Sequence, residues 1–325
     1  MIKRISTFLL VSICASLLVA CSDDDDSPAV QLSDNILVFT DQAFSKTLVQ
    51  QMVNESEQTP DAPLASNAVG GSVMLVKLRG KTNHFGIDIT QSPPKYIDYH
   101  ATVPQTRVWI AEYPYTRDLN LQTDDTGWWT MYVVKDATVD LEFSFIYEKE
   151  DWITTKTNVN PITDTDNLDY AIQYIDPYYF TYGMLPFIEN MMRTNGYPNF
   201  FFANAMVVTV GKSWASMHDD RLPHGDAGAT MTIQPASTDY IGPIYFNEAV
   251  VPDLAQADTS LDGGVTWLNM PVNQTYYVSA QRAGVNYATV KFRITQTDID
   301  SGVQLFIASP PDSVQGDNDS PPGDP

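Results

Sequence analysis

From Gly70 onward the chain is a succession of short apolar runs separated by turn residues. SVMLVKLRG, FGIDIT, KYIDYHATV, RVWIAEYP, WWTMYVV, DLEFSFIYEK and WITTKTNV are rich in β-branched and aromatic residues, with Pro93-Pro94, Pro104, Pro114 and Asp125-Thr126-Gly127 between them. That combination predicts strands joined by tight turns. In DLEFSFIY, Leu141, Phe143 and Phe145 alternate with Glu142, Ser144 and Ile146, the period-two pattern of a half-buried antiparallel strand. After an interruption, strands resume as MVVTVGKSW, ATMTIQP, GPIYFN, VTWLNM, TYYVSAQRAG, YATVKFRI and VQLFIAS. The interruption spans 163–203. It opens on an acidic turn and contains YFTYGMLPFIENMM, the best helical pattern in the chain, which Pro186 limits to two short pieces.

The pattern divides the chain into a leader over 1–20, an acidic tether and mixed N-terminal segment over 21–68, and a strand-rich block over 69–162. A partly helical connector over 163–203, a second strand-rich block over 204–310 and a proline- and acid-rich tail over 311–325 follow. The tail composition predicts disorder. The two blocks share a layout of acidic-glycine turn, strand, short turn and strand. Thr123 to Val133 leads into Leu141 to Tyr147, as Thr259 to Leu268 leads into Tyr276 to Ala280, the layout of a divergent duplication.

The leader changes the picture most. MIKRISTFLLVSICASLLVA sets Lys3 and Arg4 ahead of an apolar run too short to span a bilayer, the pattern of a secretory signal. It ends in Leu18-Val19-Ala20-Cys21, which resembles the lipobox of bacterial lipoproteins, where the cysteine is acylated and becomes the new N-terminus. Burial of acyl chains, at roughly 0.8 kcal/mol per CH₂, then attaches the protein without a spanning helix. SDDDDSPAV follows as a solvated tether, and Ser22, in place of aspartate, points to the outer membrane under the Gram-negative sorting rule. The expected location is the cell envelope. The expected partners are the membrane, through the N-terminal lipid, and an envelope protein or glycan.

Composition refines this. Cys14 leaves with the signal and Cys21 carries lipid, so the mature chain has no thiol pair and must rely on its apolar cores. Hydrophobic residues make up 43%, ample for two domains. The formal charge of −22, more negative still once Lys3 and Arg4 are removed, repels nucleic acid, which is excluded as a partner.

The strand layout resembles the carboxypeptidase regulatory-like, or transthyretin-like, β-sandwich superfamily. In the second block Leu222-Pro223-His224-Gly225 and Ala227-Gly228-Ala229 before the strand to Ile233, the Thr259 to Val265 hairpin, and Asn269-Met270-Pro271 with Tyr276 to Val278 carry the resemblance. In the first, Pro104 with Arg107-Val108-Trp109, Asp125-Thr126-Gly127-Trp128 and the strand over 141–147 do so. The resemblance implies an all-β fold of two seven-stranded, prealbumin-like sandwiches joined by a short, partly helical connector. It implies little about function, because such motifs describe hairpin geometry. The hydroxyisourate hydrolases of this superfamily carry a C-terminal tyrosine–arginine–glycine–serine motif that is missing here, so their activity is not inferred.

Candidate chemistry is sparse. His218, Asp219, Asp220, His224 and Asp226 place two imidazoles and three carboxylates in nine residues, a set able to chelate a divalent metal such as zinc. The alternative is a strand-connecting loop whose carboxylates cap backbone amides. Asp164, Asp166 and Asp169 begin like a calcium loop but lack its glycine and closing glutamate. Gly211-Lys212-Ser213 fails as a phosphate loop because Met206 stands where glycine is needed, and as a nucleophile elbow because Ala215 does. Among the aromatics, the adjacent pair Trp128-Trp129 must split across a strand, one ring in and one out. Its counterpart in the second block is Gly264-Val265, which assigns Trp129 to the core and leaves Trp128 as the outward ring and candidate ligand contact.

These readings converge on a non-enzymatic, lipid-anchored envelope protein with a binding or structural role through protein contacts and with no cofactor. The alternative is an accessory carbohydrate-binding or metal-dependent hydrolytic protein that uses the 218–226 loop.

Overall fold

A computed structural model describes residues 30–33, 35–40, 47, 49–51, 53–54, 73–88, 95–150, 152–162, 168–175, 185–211 and 225–308. In chain order the strands are β1 (Val30–Ser33), β2 (Ile36–Phe39), β3 (Val73–Asp88), β4 (Lys95–Thr102), β5 (Arg107–Ile110) and β6 (Trp128–Asp136). They continue as β7 (Leu141–Phe143), β8 (Phe145–Glu148), β9 (Thr155–Thr157), β10 (Asn160–Ile162), β11 (Leu168–Ile175) and β12 (Ala205–Thr209). The remainder are β13 (Thr230–Gln234), β14 (Ile241–Phe246), β15 (Pro252–Asp253), β16 (Gly264–Leu268), β17 (Gln274–Gln281), β18 (Val290–Ile294) and β19 (Leu305–Ala308). No helix among the described residues is long and apolar enough to cross a membrane.

The fold is all-β, as the period-two runs predict. Its strands form a six-stranded sheet β1-β2-β6-β3-β11 with β4 beside β3, an eight-stranded sheet β15-β14-β16-β12-β19-β9-β8-β5, a three-stranded sheet β13-β17-β18 and the pair β10-β7. Among the described residues the strands do not sort into the expected two sets of seven. The eight-stranded sheet takes β5, β8 and β9 from the first block and β12, β14, β15, β16 and β19 from the second. The weld is β19, which lies parallel to β12 on one side and to β9 on the other, with Leu305 opposite Thr155 and Ile307 opposite Thr157. A β-strand's own pattern shows which face is apolar but not which distant strand it joins.

Side-chain alternation makes this sheet the middle layer. Val108 and Ile110 of β5 and Phe145 and Tyr147 of β8 enter a core shared with the six-stranded sheet. Trp109 and Ile146, one residue out of phase, enter the core against the three-stranded sheet. Ile146, expected on the mixed face, is thus buried because that face is covered too. The helix Leu185–Thr194 covers the other part of the middle sheet through Ile188 and Met192, against Val207, Leu268 and Leu305. Pro186 lies in its first turn, where a missing N–H costs nothing, so the helix is continuous from Leu185. The connector also supplies a strand the pattern did not predict. β11 pairs parallel to β3 from Leu168 opposite Leu78 to Ile175 opposite Phe85. On the outer face of the six-stranded sheet, Val49 and Val53 of a helical segment cover Tyr132 and Val134.

A buried ion pair lies inside this architecture. Lys156 of β9 is buried, with its Nζ 2.8 Å from Oδ2 of Asp298 and 2.9 Å from the Arg293 carbonyl. Asp298 belongs to the short helix Gln296–Asp300, where it forms a capping box with Thr295.

Candidate functional site

The turn before β6 sets the first candidate. Asp124 Oδ1 accepts hydrogen bonds from the Thr126 amide at 2.8 Å, the Thr126 hydroxyl at 2.7 Å and the Trp128 amide at 3.0 Å. Burial of the Asp124 carboxylate disfavours its charge, but the bonds from Thr126, Trp128 and Gly127 outweigh that and hold its pKa below the ordinary value. Gly127 closes the turn at φ +83°, where a Cβ would also come within 2.8 Å of the Thr82 carbonyl.

The strand that leaves this fixed turn splits the tryptophan pair. Trp129 is buried, donates its Nε1–H to Tyr147 Oη at 2.8 Å and packs its ring 4.9 Å from Phe145. Trp128 takes the opposite face and is half-buried, with the Arg79 guanidinium 4.6 Å from its ring centroid. Arg79 escaped the sequence reading. Its signal was there in VKLRG, where Lys77 and Arg79 alternate with the buried Leu78 and so share the face of Trp128. An arginine guanidinium over a tryptophan ring is a cation–π arrangement.

Of the five residues nominated for a metal, His218, Asp219, Asp220 and His224 lie outside the described residues, as does Cys21. Asp226 is placed. It is 1% exposed at the end of the second core, where its Oδ2 accepts from Tyr287 Oη at 2.5 Å and its Oδ1 lies 2.8 Å from Arg282 Nη1. Its backbone is pinned as well: the amide donates to the Val210 carbonyl at 2.7 Å and the carbonyl accepts from the Thr259 hydroxyl at 2.6 Å. Tyr287 and Arg282 thus face the two carboxylate oxygens, Tyr287 through a hydrogen bond and Arg282 through its charge.

Burial pushes the Tyr287 hydroxyl up to about 12, helped by its hydrogen bond to Asp226 and the charge of that carboxylate. The hydroxyl therefore stays a proton donor to Asp226 throughout the physiological range. Beside it, Gln281, Arg282, Asn286 and Tyr287 line an open depression of about 430 Å³ at the tip of the β17–β18 hairpin. Of the calcium-like carboxylates, Asp169 lies in β11, while Asp164 and Asp166 are outside the described residues. Gly211 forms an isolated bridge with Gly225, and Lys212 and Ser213 are outside the described residues. Trp109 and Trp267 are both core residues.

No protein-family model matches the chain, and no curated protein matches it. Among solved structures 23 chains match. One is the Bacillus anthracis TIE protein, at 10% identity and a TM-score of 0.20, covering 75% of this chain and 34% of that one. The chain thus spans about a third of that protein's length. Another is the shaft pilin SpaA from Lactobacillus rhamnosus GG, at 8% identity and a TM-score of 0.20, covering 75% of this chain and all of the pilin chain. A third is the family CBM26 domain of Eubacterium rectale Amy13K in complex with maltoheptaose, at 10% identity and a TM-score of 0.20, covering 73% and 92%.

Proposed function

We propose that this chain is a lipoprotein of the Gram-negative outer membrane, tethered through acylated Cys21, that works without catalysis by making protein contacts in the envelope. The signal and lipobox pattern ending at Cys21 supports the tether, and the acidic SDDDDSPAV stretch supports a body held away from the lipid surface. The observation that carries the contact reading is Trp128. A tightly hydrogen-bonded turn fixes its backbone, and Arg79 orients its ring on the outer face of the six-stranded sheet. Tryptophan and arginine dominate interface energetics because they bring large area and directed hydrogen bonding at modest entropic cost. A ring already held in place loses little further freedom on binding.

Two measurements test the two halves of the proposal. Cys21→Ser moves the protein from the membrane to the soluble fraction; a variant that stays membrane-bound removes the tether. Cross-linking on intact cells with mass spectrometry recovers a defined envelope protein with the parent chain and not with Trp128→Ala. Equal recovery with both, or with neither, removes the contact reading.

A further inference from the structure

A second, independent surface lies on the solvent side of the three-stranded sheet. β13, β17 and β18 read TMTIQ, QTYYVSAQ and VKFRI, and none contains an aspartate or glutamate, in a chain with 40 of them. Their inward residues Met231, Ile233, Tyr276, Val278, Phe292 and Ile294 fill the second core. Their outward residues make a hydroxyl- and amide-bearing plane centred on Tyr277, which is 48% exposed although the adjacent Tyr276 is 1% exposed. Tyr277 stands in register between Gln234 of β13 and Lys291 of β18, and Thr232 faces Ser279 across the next rung. Ser279 and Thr289 share a 2.9 Å hydrogen bond between their hydroxyls.

The two cations on this face are neutralised within the protein. Lys291 Nζ lies 2.5 Å from Glu142, and Arg293 lies 3.2 Å from Glu112 and 3.4 Å from Glu142. The plane is therefore polar but without net charge, on a molecule of formal charge −22. Anionic ligands are repelled by the molecule as a whole, and cationic ones meet only the carboxylates of Glu112 and Glu142, which are already paired with Lys291 and Arg293.

Size narrows the partner further. Three strands at about 4.8 Å spacing and five residues at about 3.4 Å rise make a plane of about 10 by 17 Å. That is far below the roughly 800 Å² per partner of a stable protein interface. It matches the width of a single extended sugar chain. The apolar face of a pyranose ring packs on an exposed tyrosine, and its hydroxyls exchange hydrogen bonds with Thr, Ser and Gln side chains.

We infer that the outward face of β13, β17 and β18 binds an uncharged polysaccharide, with Tyr277 as its stacking platform. The inference does not depend on Cys21 or Trp128.

The test is affinity electrophoresis of the full-length protein in detergent, in native gels containing amylose, hydroxyethylcellulose, mannan or the anionic control alginate. At least one neutral polymer is expected to retard the protein. Tyr277→Ala should weaken that retardation by at least about tenfold. Tyr277→Trp should preserve it, and Tyr115→Ala, an exposed tyrosine elsewhere, should leave it unchanged. An unaltered melting temperature for Tyr277→Ala separates lost binding from lost folding. Retardation by alginate alone, by no polymer, or equally for Tyr277→Ala and the parent chain overturns the inference. So does a dimer in sedimentation that Tyr277→Ala dissociates, since the face would then belong to a second copy of the chain.

Discussion

Trp129 fits the first core because Gly80 faces it across the β3–β6 ladder. A Cβ at position 80 would sit 2.4 Å from Trp129 Nε1, the atom that donates to Tyr147. Gly80→Ala must therefore push the indole off its hydrogen bond or shift the strand, and a destabilisation of about 1–3 kcal/mol is expected in urea titration. Trp129→Val, which copies Val265 of the second block, should relieve that strain. The double variant should then be more stable than the sum of the two single effects, and strict additivity would show that the two positions do not compete for space.

The second block shows why a paired tryptophan is not repeated there. A Cβ at Gly264 would meet Asp262 Oδ2 at 2.4 Å and Phe246 at 2.9 Å, so a side chain at the position that matches Trp128 would have to displace both. The in-and-out division of Trp128 and Trp129 was legible from adjacency alone. The role of Gly80 was not, because it depends on a partner strand far away in the chain.

At the scale of elements, the short strand β9 departs from its alternating sequence pattern. In Thr155-Lys156-Thr157 an alternating reading turns the lysine outward, yet all three residues are buried. The reason lies in another element. The capping box at Thr295 and Asp298 holds a carboxylate whose Oδ2 accepts from both the Thr295 amide and Lys156. The capping box is a local Thr-x-x-Asp device, whereas its meeting with Lys156 is made by the tertiary fold. Desolvating two charges is costly, so the pair stabilises little against an apolar replacement, but breaking it strands one charge. Asp298→Ala is accordingly expected to cost about 3–5 kcal/mol in equilibrium unfolding, by leaving the Lys156 ammonium buried without its counter-ion. Lys156→Met combined with Asp298→Leu should recover most of that loss. A double variant as unstable as Asp298→Ala would assign the loss to the helix cap instead of the ion pair.

At the scale of the whole molecule, the two strand-rich blocks read as separable units in the sequence, but the middle sheet joins them. β19 alone contributes Phe306 and Ala308 to the core against the three-stranded sheet, Ile307 to the core against the six-stranded sheet and Leu305 to the core under the helix. β5 and β8 are likewise buried on both faces, with Trp109 and Ile146 in one core and Val108, Ile110, Phe145 and Tyr147 in the other. Cores that share their strands cannot lose packing independently, because melting one exposes the apolar back of the other. The protein should therefore unfold in one cooperative step, with amide protection in β6 and β16 lost at the same denaturant concentration in hydrogen exchange. Phe306→Ala, which truncates a ring 0% exposed in the second core, is expected to cost about 3–5 kcal/mol. The informative readout is where that loss appears. In a shared-sheet architecture the variant lowers the protection of β6 in the first block as well as that of β16. If β16 opens early while β6 keeps its full protection, β19 does not couple the two halves, and each block folds as an independent domain.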